Sequence, residues 1–78
     1  MPHLILKTQT GRSEDQKKRI AEELTKVVMT YATCAEDAVS VSIEDVAAGD
    51  WVETVYKPDI LGKAASLYKK PGYDPLRG

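Results

Sequence analysis

Residues 13–32 read SEDQKKRIAEELTKVVMTYA, and this stretch decides the fold. Ile20, Leu24, Val27, Val28 and Tyr31 recur at the spacings of one helical stripe. Lys17, Lys18, Arg19, Glu22, Glu23 and Lys26 occupy the remaining surface. Ser13 suits an N-cap, Gln16 three residues on completes a capping box, and Glu14 and Asp15 complement the helix dipole. The pattern predicts a helix from about Glu14 to Ala32.

Alternating stretches flank that helix. Upstream, Pro2 to Thr8 reads as a strand with Leu4 and Leu6 on one face and His3, Ile5 and Lys7 on the other. Proline is tolerated as a strand's first residue. Thr10-Gly11-Arg12 is a short connector into the helix. Downstream, Val39, Val41 and Ile43 alternate with Ser40, Ser42 and Glu44, which predicts a second strand over Val39 to Val46. Two strands joined by a long helix form a βαβ unit with parallel strands and a right-handed crossover. Ala47-Ala48-Gly49 reads as a loop, and Asp50 and Glu53 as caps of a helical turn beginning at Trp51. Pro58 suits a first helical position, so Ile60, Leu61, Ala64, Leu67 and Tyr68 predict a final helix ending before Pro71-Gly72, followed by a tail from Tyr73 to Gly78. The fold class is therefore α/β, a single domain over residues 1–78 made of one β-α-β unit and a C-terminal helical extension.

A two-stranded parallel sheet with helices on one face leaves its edges and its other face uncovered. The chain has 78 residues and one cysteine, Cys34, so an internal disulfide is excluded and one thiol makes no metal site. Domains this small bury only about 60% of their unfolded surface and lean on disulfides, metal or association. Completion by self-association is the expectation. A formal charge of −1, from 11 basic and 12 acidic residues, argues against the basic footprint of a nucleic-acid binder. The longest apolar runs, Leu4 to Leu6 and Val27 to Met29, fall far short of the roughly 20 residues that span a membrane. No basic-then-apolar leader precedes the first strand, and a cytoplasmic location is expected.

Phosphate-cradling glycine motifs, paired cysteines and a second histidine are all absent. His3, a lone imidazole at a strand start, reads as a structural or surface residue, because a base normally needs an orienting partner. Cys34 has no cationic cluster beside it and reads as a bystander thiol. Met1-Pro2 is the unusual feature. A small second residue permits removal of the initiator methionine, and an N-terminal proline then carries a basic secondary amine. Model α-amino groups titrate at about 7.7–8.0, and burial or a nearby cation lowers that toward the working range of a general base.

Pro2-His3-Leu4-Ile5-Leu6 followed by Gly11-Arg12-Ser13-Glu14-Asp15-Gln16-Lys17 resembles the opening of the 4-oxalocrotonate tautomerase family, which starts on proline and enters its helix through G-R-S-x-x-Q-K. The likeness continues to Gly49-Asp50-Trp51, and the ending Lys69-Lys70-Pro71-Gly72-Tyr73 is similar to that of the C-terminally extended, dimer-forming branch; shorter members are often hexamers. The resemblance implies a cofactor-independent isomerase in which Pro2 shuttles a proton between the enol and keto forms of a 2-oxo acid. It implies that Arg12 meets a substrate carboxylate, which suits a planar guanidinium fork, and that Trp51 lines an apolar pocket. Many members carry a second arginine on the second strand; this sequence has Ser40 there. A serine donates one hydrogen bond without charge, which favours a monocarboxylic enol such as phenylenolpyruvate over a dicarboxylate such as 2-hydroxymuconate. Two other readings use the same residues. A protonated Pro2 would assist addition of water to an unsaturated or halogenated acid, as in a hydratase or dehalogenase. A non-catalytic oligomeric module would use Pro2 only to start a strand.

Overall fold

β1 (His3–Gln9) and β2 (Ser40–Val46) lie side by side and parallel, in register from His3 opposite Ser40 to Gln9 opposite Val46. The structure is a computed structural model and describes residues 1–77. Its contacts divide the chain into two compact units, Met1–Val46 and a second unit beginning at Ala47.

In the first unit the connection between the strands is α1 (Glu14–Tyr31), which packs against β2. The expected capping box is present. Gln16 N–H donates to Ser13 Oγ at 3.1 Å, and Ser13 N–H donates to Gln16 Oε1 at 2.8 Å. The ladder runs one residue past the strands, where Thr10 N–H donates to the Val46 carbonyl at 3.1 Å, and Gly11 then turns the chain at φ +124°, a region open to glycine. Lys17 ties the first turn of α1 to the end of β2 through Asp45 at 2.9 Å, with Glu14 at 2.8 Å. These hydrogen bonds, Asp45's first, raise the Lys17 pKa above its usual value.

The rungs pairing Leu4 with Val41 and Leu6 with Ile43 are half-buried, as are Ile20, Leu24 and Val28 of α1. Only part of the expected helical stripe is half-buried. Val27 is 53% exposed and Tyr31 84% exposed. The half-buried face is the row Ile20, Leu24, Val28 together with the adjacent row Ala21, Thr25, Met29, so it is turned away from Val27 and Tyr31. No residue of Met1–Val46 is buried, and Ile5, on the sheet face away from Leu4 and Leu6, is 57% exposed.

The second unit departs from the sequence-based expectation in three ways. Ala48–Asp50 forms a 3-10 turn instead of an open loop, and the following helix has no side-chain cap, so Asp50 does not cap it. Glu53 instead pairs with Lys57 at 2.7 Å. That helix, Val52–Leu61, is wound as a π-helix with Pro58 inside it, not at its start. Proline lacks the N–H that an α-helical ladder needs and its ring crowds the preceding carbonyls, so the wider turn accommodates it. Gly62 closes the helix by donating to the Lys57 carbonyl at 2.8 Å; a Cβ there would sit 2.5 Å from the Pro58 carbonyl oxygen. The chain stops winding at this point. Of the expected final helix, Pro58 to Leu61 form the end of this π-helix, Ala64–Ser66 form only a 3-10 turn, and Tyr68 is fully exposed. Nor is Tyr73 part of a loose tail, since its ring lies 5.8 Å from that of Tyr56. The end of the expected tail, Gly78, falls outside the described residues.

Candidate active site

Pro2 immediately precedes β1, and its carbonyl accepts the Ser40 N–H at 3.2 Å. This bond anchors the residue at the open end of the parallel ladder. Pro2 is half-buried, while Met1 before it is fully exposed. The first rung sets His3 directly opposite Ser40. Their side chains share a face and meet, with His3 Nδ1 2.7 Å from Ser40 Oγ. Pro2, His3 and Ser40 thus form one cluster at one end of the sheet. Both the imidazole and the hydroxyl are exposed.

Arg12 lies at the other end. It follows Gly11 and precedes the N-cap, so the end of β1 and the start of α1 fix its backbone from both sides. Its Nη1 donates to the Gln9 carbonyl at 3.1 Å, which uses one of the five N–H donors of a guanidinium. With Asp15, Gln16, Arg19 and Ile20 it lines a cleft of about 490 Å³. A strand advances about 3.3 Å per residue, so β1 separates Pro2 from Arg12 by more than about 20 Å. The structure therefore does not unite these two residues within one chain.

Trp51 belongs to the second unit, half-buried, with its indole Nε1–H donating to Tyr73 Oη at 3.0 Å. Beside it, Tyr56 is buried and hydrogen-bonded to Asp74; burial, and then the Asp74 charge, raise its phenol pKa. Asp74 Oδ1 also accepts the Leu76 N–H at 2.9 Å. Sequence reasoning missed the partners of both His3 and Trp51. The first was latent in strand pairing, because two parallel strands that start together bring their first residues side by side. The second had a weaker signal, an aromatic residue directly after the Pro71-Gly72 turn.

Comparison with known proteins completes the description. The family model described as tautomerase enzyme matches residues 2–55. The chain belongs to the tautomerase family. A "Probable tautomerase" of Xylella fastidiosa (strain 9a5c) is 42% identical over 76 residues, covering 97% of this chain and 93% of that protein. "Tautomerase PptA" of Pectobacterium carotovorum subsp. carotovorum is 36% identical over 74 residues, covering 94% of this chain and 97% of its own length. The protein of the same name from Escherichia coli O127:H6 is 27% identical over 74 residues. Tautomerase membership and the β-α-β unit together make this chain a tautomerase-type isomerase. Among the described residues no cluster of His, Cys, Asp and Glu is arranged to hold a metal ion, and no helix is long and apolar enough to cross a membrane.

Proposed function

We propose that this tautomerase interconverts the enol and keto forms of a monocarboxylic 2-oxo acid, with Pro2 as general acid and base after Met1 is removed. The observation that carries the reading is the anchoring of Pro2 at the first rung of the sheet, beside a polar pair. The family match beginning at residue 2 and the exposure of Met1 support it. The freed secondary amine accepts the enol hydroxyl proton and leaves the O–H pair on oxygen as an enolate, and that pair closes the carbonyl π bond as the carbon–carbon π pair moves. The carbon–carbon π pair then takes the proton back from the ammonium, forming the C–H bond. Ser40 donates to the 2-oxo oxygen, Arg12 holds the carboxylate, and Trp51 supplies an apolar wall.

Because β1 separates Pro2 from Arg12, a small acid reaches both only if they come from different copies. A two-fold pairing, in which each copy presents its Arg12 end to its partner's Pro2 end, builds two such sites at once. The absence of any buried residue in Met1–Val46 and the exposed Ile5, Val27 and Tyr31 favour association of this kind. A cytoplasmic enzyme acting on a diffusible substrate, without nucleic acid, membrane or cofactor, fits this reading.

The test is intact mass of the active protein together with Pro2→Ala. Loss of Met1 and a fall in kcat of about 10²- to 10⁴-fold are expected for removal of a positioned base. An alanine variant within a few-fold of wild type, its own N-terminus confirmed, would overturn the mechanism.

A further inference from the structure

We propose that His3 is a positioning residue for Ser40, donating from Nδ1 to the serine oxygen so that the serine's own proton points at the substrate's 2-oxo oxygen. The inference rests on the reading of Pro2 as the base and deepens it by naming what supports the donor across from it.

Ser40 is held on two sides. Its N–H is bonded to the carbonyl of Pro2 and its Oγ lies 2.7 Å from His3 Nδ1. The contact can run in either direction, and the direction decides what Ser40 can do. A hydroxyl has one proton and two acceptor sites. If Ser40 gave that proton to Nδ1, nothing would remain for a substrate. With the proton on Nδ1, the imidazole fills one acceptor site, the hydroxyl proton faces outward, and a bond accepted by Oγ polarises the O–H it donates. The substrate oxygen gains negative charge as its proton passes to Pro2, so a polarised donor interacts more strongly in the transition state than in the ground state.

Position supports the same assignment. The next rung on this face pairs Ile5 with Ser42, and the strand residues of opposite charge, Lys7 and Glu44, pair about 13 Å from the first rung. Of the strand side chains at the Pro2 end, the imidazole is therefore the one placed to give Ser40 Oγ a ring N–H. Both members of the pair are exposed, so a ligand can reach the hydroxyl.

The chain has a single histidine, which makes its ring nitrogens directly observable by ¹H–¹⁵N NMR. The neutral ring is expected to carry its proton on Nδ1, and Ser40→Ala is expected to shift the population toward the Nε2–H form. In kinetics, Ser40→Ala should lower kcat by about 10²-fold, the scale for one donor to a developing oxyanion. His3→Leu should lower kcat by about five- to tenfold with little change in KM, the scale of one neutral hydrogen bond. His3→Asn, whose amide N–H can replace the Nδ1–H, should recover most of that loss. In the Ser40→Ala background, His3→Leu should cost nothing further. A wild-type ring protonated on Nε2, a silent His3→Leu, or losses that simply multiply in the double variant would each overturn the proposal. Pro2→Ala, assayed in parallel, separates the two claims. If it is silent while His3 and Ser40 remain coupled, the base assignment fails and the pair stands; if it cripples the enzyme while His3→Leu is silent, only the pair fails.

Discussion

The separation of Pro2 and Arg12 makes a quantitative prediction about mixed oligomers. Pro2→Ala should retain at most about 1% of wild-type kcat. Arg12→Ala should lose about 1.5–3 kcal/mol of transition-state binding, the range for a hydrogen bond to a charged group, or roughly 10- to 150-fold in kcat/KM. If each site takes its proline from one copy and its arginine from another, co-refolding the two variants in equal amounts regenerates intact sites. Half of all sites receive an intact proline and, independently, half receive an intact arginine, so about one quarter become wild type whatever the number of copies. The mixture should therefore reach about 25% of wild-type kcat/KM. The assay is ketonisation of an aryl enolpyruvate at substrate well below KM, with native mass spectrometry confirming that mixed oligomers formed. Mixed oligomers with no activity above the mean of the two parents would refute the shared site and require both residues to act from one chain.

Three further outcomes follow from particular side chains. Ser40→Arg should shift preference from monocarboxylates toward dicarboxylates of similar size, by about tenfold or more for a new charged contact; competition between the two substrate classes measures it. Ser13→Ala should destabilise the protein by about 1 kcal/mol through loss of the observed cap, read as a lower urea midpoint with unchanged slope. Raised phenol and ammonium pKa values at Tyr56 and Lys17 mean that the folded state holds these protons more tightly than the unfolded chain. Their contribution is complete below the unfolded values of 10.0 and 10.5, and is lost as pH rises through the folded ones. Urea midpoints should accordingly fall above pH about 10, and less steeply in Tyr56→Phe.

The legibility of the sequence ends where helix geometry stops being local. Through Val46, each element is written in short-range signals: a capping box, a 3.6-residue stripe, and two-residue alternation. The two strands and the helix lie where expected, give or take a residue, although Val27 and Tyr31 fall outside the helix's half-buried face. Past Ala47 the same rules mislead. Pro58 is a good first residue for an α-helix, yet a chain already helical from Val52 absorbs it by widening its turns. The apolar spacing of Ile60, Leu61, Ala64, Leu67 and Tyr68 fits a helix, but Gly62 ends the winding in the middle of the pattern and leaves Tyr68 in solvent.

The site divides in a different way. The family resemblance pointed to Pro2, Arg12, Ser40 and Trp51 one at a time, and nothing in their spacing says which can meet. Parallel pairing supplies that information. It joins the start of β1 to the start of β2, so Pro2, the imidazole and the serine converge, while the arginine follows the far end of β1. His3 is exposed, in keeping with a structural or surface residue, but the partner it was read as lacking lies 37 residues away in sequence and one strand away in space. The same register carries the functional argument. On the proposed roles, a base at Pro2 and a carboxylate clamp at Arg12, set at opposite ends of one strand, make two half-sites in a single copy, each supplying what the other end of a second copy lacks. The weak packing of the first unit and the proposed division of its chemistry thus point the same way, toward association between copies.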